Sequence, residues 1–181
     1  MKKSVFRLAL LGAVAAVLAT AGLANAKPNV FEDFRGAFVG PVTFPTVMFG
    51  TPTTYTGTGI LVITTQGANA TASFVCGVSG PLAIPVGMTI TGKIKASGKF
   101  SSSGRLNDSV FAPVTSKFKL RGKSLSTSYT LSSPTGPLSM QFSPTFKLSG
   151  KSITVSGPAT LTYTGFVSPG TFTFKGKRVV D

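Results

Sequence analysis

Between Lys27 and Asp181 the longest stretch free of glycine and proline is the eleven residues from Lys123 to Ser133, and serine and threonine dominate it. Inside a helix a glycine costs about 1 kcal/mol and a proline about 3 kcal/mol relative to alanine, so helices of ordinary length are not expected here. The intervals between breakers hold Phe, Val, Ile, Tyr and Thr, residues that fit a pleated, half-buried surface. Everything after Lys27 therefore reads as strands.

Register is tested by hairpin symmetry, because residues paired across a two-residue turn share a face. With Ser149-Gly150 as a turn, Phe146 meets Ile153, Pro144 meets Val155, Phe142 meets Gly157 and Leu138 meets Leu161 on an apolar face. Lys147, Thr145, Ser143 and Gln141 fall on the other. With Arg121-Gly122 as a turn, Phe118 meets Leu125 and Val114 meets Tyr129, while Lys117 and Lys119 point the opposite way. The two turns belong to a repeat, since Phe118-Lys119-Leu120-Arg121-Gly122-Lys123-Ser124-Leu125 recurs as Phe146-Lys147-Leu148-Ser149-Gly150-Lys151-Ser152-Ile153.

A further loop is read at Ser168-Pro169-Gly170, which sets Tyr163 opposite Phe174. Met88 to Phe100 reads as one long amphipathic strand turning at Ser101 to Gly104. Tyr55 to Thr65 and Ala70 to Ser79 form a hairpin joined between Gln66 and Asn69, and Phe34 to Val42 is the first strand. The segments near Pro45 and Pro52 read as edge or loop. Sequential hairpins with one apolar face and no helix to cover it must close the sheet or stack two sheets. The expectation is an all-β antiparallel meander closing into an up-and-down β-barrel of about eight to ten strands, a size whose interior is filled by side chains or holds one small ligand. A meandering β-sandwich is the alternative.

The charge pattern narrows the chemistry. The chain carries 18 basic and 4 acidic residues and no histidine. It therefore lacks an imidazole base or ligand, and Glu32, Asp33, Asp108 and Asp181 are too few to build the usual acid–base pairs or metal sites. Ser116 and Lys119 match a Ser-x-x-Lys motif, but residues three apart in a strand face opposite ways. No catalysis, cofactor or metal is expected. Lys93, Lys95 and Lys99 project from one strand and Lys117 and Lys119 from its neighbour, an outer wall suited to a polyanion such as an acidic polysaccharide or lipopolysaccharide. Outward lysines also keep sheet walls soluble. Nucleic acid is disfavoured because the aromatics needed for base stacking lie on the other face.

That inner face carries Phe100, Phe118, Tyr129, Phe142, Phe146, Tyr163, Phe172 and Phe174, which form a core or line a site for a small apolar ligand. With no tryptophan in the chain, the Gly-x-Trp signature of lipocalins and the Trp-lined pocket of avidins are both absent. An extracellular structural role is the remaining alternative.

The first residues read as a targeting segment. Lys2, Lys3 and Arg7 precede an apolar run from Leu8 to Leu23, and Ala24-Asn25-Ala26 offers a small-x-small cleavage site. The run is shorter than the roughly 20 residues a spanning helix needs. The expected organisation is a signal peptide over 1–26 and a single all-β domain over 27–181, exported to the periplasm or the exterior, with no transmembrane segment in the mature chain. Cys76 has no second cysteine to pair with and sits in an apolar setting, as a buried small hydrophobe does. N-terminal mass spectrometry of the exported protein should find Lys27 first; an intact Met1 in a membrane fraction would overturn the cleavage.

Overall fold

The alternation of apolar and polar residues closes into a ring in the computed structural model, which describes residues 29–181 apart from 49, 81–85, 108 and 135. The expected signal peptide lies outside the described residues. One turn of 3₁₀ helix, Glu32–Phe34, leads into β1 (Gly36–Met48), β2 (Thr51–Gln66), β3 (Asn69–Ser79), β4 (Val86–Ile94), β5 (Lys99–Leu106) and β6 (Ser109–Arg121). The second half holds β7 (Ser124–Thr127), β8 (Tyr129–Ser132), β9 (Leu138–Phe142), β10 (Thr145–Ser149), β11 (Ser152–Tyr163) and β12 (Phe166–Val180). All pairings are antiparallel, and β12 returns to pair with β1. β7 and β8 keep one register and are a single strand interrupted at Ser128. β9 and β10 are likewise one strand interrupted at Ser143-Pro144. Counted this way, the molecule is a closed antiparallel barrel of ten strands. Among the described residues no helix is long and apolar enough to cross a membrane.

The two repeated hairpins form, but each register lies two residues from the expected one. Phe146 pairs with Val155 and Leu148 with Ile153, while Phe118 pairs with Thr127 and Leu120 with Leu125. The turns are Gly122-Lys123 and Gly150-Lys151, with glycine first at φ +54 and +56. Positive φ at the first position and not at the second is the requirement of a type II′ turn. The sequence reading had placed glycine second. A shift of two residues keeps every side chain on its face, so the apolar and polar sets survived the error. The copies are also spatial neighbours, because Phe146 of β10 pairs with Leu125 of β7.

Three other readings are corrected. The supposed loop at Ser168-Pro169-Gly170 lies inside β12, and the hairpin turns instead at Thr164-Gly165, where both residues have positive φ. Gly170 is there for space: a Cβ on it would sit 2.4 Å from the Pro45 carbonyl oxygen. Phe174 thus pairs with Val155, and Tyr163 pairs with Phe166. The long strand from Met88 breaks at 95–98, where the Lys95 amide donates to the Lys99 carbonyl at 2.9 Å and Gly98 takes φ +85. Ile94 pairs with Phe100 across this turn, so alternation continues through it and hides it in the sequence. Pro45 and Pro52 lie within β1 and β2, both exposed on the outer face near their shared turn. The Tyr55–Ser79 hairpin is as read, with Gln66 opposite Asn69.

Inside, six rings run across the barrel from strand to strand. Phe100 lies 5.4 Å from Tyr129, Tyr129 5.9 Å from Phe142, and Phe142 5.3 Å from Phe172. Phe74 completes the run at 5.5 Å from Phe172 and 5.2 Å from Phe174. Most of these contacts are edge-to-face, the geometry that aligns a ring's positive edge with its neighbour's negative face. The rings fit because facing positions are empty: a Cβ on Gly92 would lie 2.5 Å from the Phe100 ring, and one on Gly59 would lie 2.9 Å from Phe74. Phe100→Ala should therefore destabilise the protein by about 3–5 kcal/mol in urea unfolding, whereas Lys147→Ala on the exposed wall should stay within about 0.5 kcal/mol.

Candidate functional site

The aromatic layer separates two unlike halves. One end carries the turns at 67–68, 95–98, 122–123 and 150–151, and the 3₁₀ turn closes it from outside. Phe31 and Phe34 are buried there, with the Phe31 ring 5.6 Å from Phe118. Polar contacts tie the plug to the rim. Asn29 Nδ2 donates to the carbonyls of Gly67 and Asn69 at 2.7 and 2.9 Å, and an Arg178 guanidinium nitrogen donates to the Asp33 carbonyl at 2.7 Å. Arg178 also lies 5.1 Å over the Phe38 ring. The Thr65 hydroxyl donates to Glu32 at 2.8 Å and, with Arg35 next in effect, holds that carboxyl below its usual range.

This plugged end gathers the charge. Of the fourteen basic residues among those described, only Arg105 lies in the other half. Lys93, Lys95, Lys99, Lys117 and Lys119 are all exposed, and Lys99 and Lys117 stand directly opposite each other on β5 and β6. Lys95, however, lies in the 95–98 turn, and Lys99 starts a strand of its own rather than continuing that of Lys93. The basic surface also runs on through Arg121, Lys123, Lys147, Lys151, Lys175 and Lys177. It is an open collar at one end of the barrel, running from β4 to β12 and leaving β1–β3 without a basic residue, rather than a patch on one wall. Among the described residues three ion pairs form there, Arg35–Glu32 at 3.0 Å, Lys123–Asp33 at 3.7 Å and Arg178–Asp181 at 3.3 Å. They leave ten basic side chains at that end without an acidic partner.

The opposite half is hollow. A cavity of about 250 Å³ lies above the ring layer, floored by Phe142 and Phe172 and walled by Val42, Phe44, Tyr55, Cys76, Val78, Met88, Leu106, Met140, Ala159 and Leu161. It reaches Met48 and Asn107, beside the turns of that end. Among the described residues, no charged side chain lines it. Its polar groups are few, and several are already engaged: the Thr46 hydroxyl donates to the Pro169 carbonyl at 2.7 Å, and the Tyr55 hydroxyl contacts the Met48 sulfur at 2.8 Å.

The interior residues expected from the sequence divide accordingly. Phe100, Tyr129, Phe142, Phe172 and Phe174 are buried, and Phe118 and Phe146 are half-buried against the core. Tyr163 is the correction. It keeps the inward parity of Ala159 and Leu161, but it lies at the hairpin tip and is 57% exposed, because the true turn follows it directly. The sequence reading missed the methionines, whose positions in alternating strands were the available signal. Ser116 and Lys119 point to opposite faces of β6, so no Ser–Lys pair forms.

Burial pushes the Cys76 thiol up to about 12, partly offset by a backbone hydrogen bond at Met88. Burial likewise raises the Tyr129 phenol well above its usual value, with the Ser102 hydroxyl opposing.

No family model matches the sequence, and no curated protein matches it. Among solved structures, the fold is similar to the crystal structure of Rv2717c from M. tuberculosis, with a TM-score of 0.56, 8% sequence identity, and coverage of 85% of this chain and 99% of that one. The likeness is one of fold.

The thiol supplies a pH test. A folded value above the unfolded one means that Cys76 contributes fully at low pH and that its contribution is lost as pH rises from 9.0 towards about 12. In that window the wild type should lose up to about 1.4 kcal/mol per pH unit more than Cys76→Ala. Chemical denaturation across the range measures the difference.

Proposed function

We propose that this protein is an exported, non-catalytic binding module whose basic end holds an anionic surface polymer, an acidic polysaccharide or the phosphorylated carbohydrate of lipopolysaccharide. The observation that carries this reading is the collar: thirteen basic residues at one end with three acids among them. Adjacent strands lie about 4.8 Å apart, inside the roughly 8 Å screening length at physiological salt, so these charges repel one another. The directly opposed Lys99 and Lys117 illustrate the cost, since like charges facing each other across a sheet destabilise it. A polymer bearing regularly spaced anions relieves that repulsion and releases counterions. The open collar from β4 to β12 lets a flexible chain follow that part of the barrel end.

The hollow half favours a second reading, in which the barrel carries a small apolar ligand. The two are compatible, because the collar and the cavity lie at opposite ends.

Heparin and lipopolysaccharide binding should fall steeply as salt rises. Lys117→Glu should weaken binding far more than Arg105→Glu, which makes the same change in net charge in the other half. Equal losses would reduce the effect to overall charge, and no binding at low salt would leave the collar as a solubility device.

A further inference from the structure

All four sulfur atoms of the described residues meet at one place. Met48, Cys76, Met88 and Met140 come from β1, β3, β4 and β9, and every one lines the hollow half. Phe142 and Phe172 form its floor. No described residue of the filled half is a methionine. The barrel thus places its polarisable side chains only where the interior is unfilled.

Resting on the carrier reading, we infer that this cavity takes a small, uncharged aromatic molecule of one or two fused rings. Three arguments converge. First, size: about 250 Å³ exceeds the roughly 150 Å³ that admits benzene and falls below the roughly 300–1,000 Å³ of drug-sized sites. Second, charge: with no ionic side chain among the described lining residues, a carboxylate or ammonium would lose its hydration unrepaid. Third, lining: thioether sulfurs make favourable contacts with ring edges, and the phenylalanine floor offers edge-to-face and offset packing to another ring. Methionine's three rotatable bonds also let the walls close on rings of different outline.

The same sulfurs also raise the case of a soft metal ion. That reading is disfavoured because a cation would enter a lining with no anionic group among the described residues, and burial holds the thiol protonated. Silver(I) serves as the control probe.

The experiment measures binding of naphthalene, indole, cyclohexane, 2-naphthoate and silver(I) to the full exported chain by calorimetry. It compares wild type with Met48→Leu/Met88→Leu/Met140→Leu, a volume-conserving variant whose fold is checked by thermal melting. Wild type should bind naphthalene and indole at least tenfold more tightly than 2-naphthoate. The triple variant should lose about fivefold to tenfold for the aromatic probes while changing less than twofold for cyclohexane. If wild type binds none of the apolar probes, the carrier reading itself fails. If cyclohexane binds as well as naphthalene, or both lose equally in the variant, the cavity is merely apolar and the aromatic assignment is overturned. Tight silver(I) binding lost in the variant would overturn it in favour of a metal. Should the variant fail to fold, Met140→Leu alone is read by the same criteria.

Discussion

The layer of six rings is the interaction on which both halves of this barrel depend. A ten-stranded barrel encloses more space than a single column of aliphatic side chains fills. Here the excess is not spread evenly. Phe100, Tyr129, Phe142, Phe172, Phe74 and Phe174 span the interior at one level. On one side of them, Leu125, Leu148, Ile153 and Phe38 complete a packed core capped by Phe31 and Phe34. On the other side the walls stand apart. The layer is thus the floor of the cavity and the roof of the core, and dispersion and quadrupole contacts among the rings hold it without a single hydrogen bond between them.

Charge follows the same division. The plug needs polar clamps, and Arg178, Asn29 and Glu32 supply them at the filled end. Apart from Arg105, the remaining basic residues lie about that end, where no lining has to be kept dry. At the hollow end the one basic residue described, Arg105, lines an adjoining pocket and not the cavity itself. Separating the basic residues from the apolar lining along the barrel axis lets one end be strongly hydrated while the other stays apolar.

Much of this was legible in the residues. Alternation set which side chains face inward, and the absence of helix-forming windows set the all-β class. Closure into an up-and-down barrel followed from the apolar face having nothing else to cover it. What alternation cannot report is where a strand ends when an odd number of residues separates the paired ends, as the five between Ile94 and Phe100 do, which is why the 95–98 turn was invisible and the Lys93–Lys99 strand was drawn too long. Nor does it report which turn position a glycine occupies, which displaced two hairpins by two residues. The basic wall was read, with Lys147, Lys175 and Lys177 extending it, but its gathering at one end of the barrel was not, because that appears only once the strands are arranged around a ring. The sulfur lining was missed for a related reason: Met48, Cys76, Met88 and Met140 are far apart in the chain and come together only through the β8–β9 hairpin and the β1–β4 wall.

The pairing of β1 with β12 has a topological consequence. Ala37 lies opposite Val180, so the two ends of the fold are strand neighbours in an otherwise uninterrupted circuit of hairpins. Every other step around that circuit is covalent. The barrel is therefore a cyclic object whose chain happens to be cut at the plugged end, and its stability rests on contacts that do not depend on where the cut is made. A chain joined across that gap and opened instead at Thr164-Gly165 would keep each strand between the same neighbours. Its new ends would stand at the mouth of the cavity, away from the basic collar.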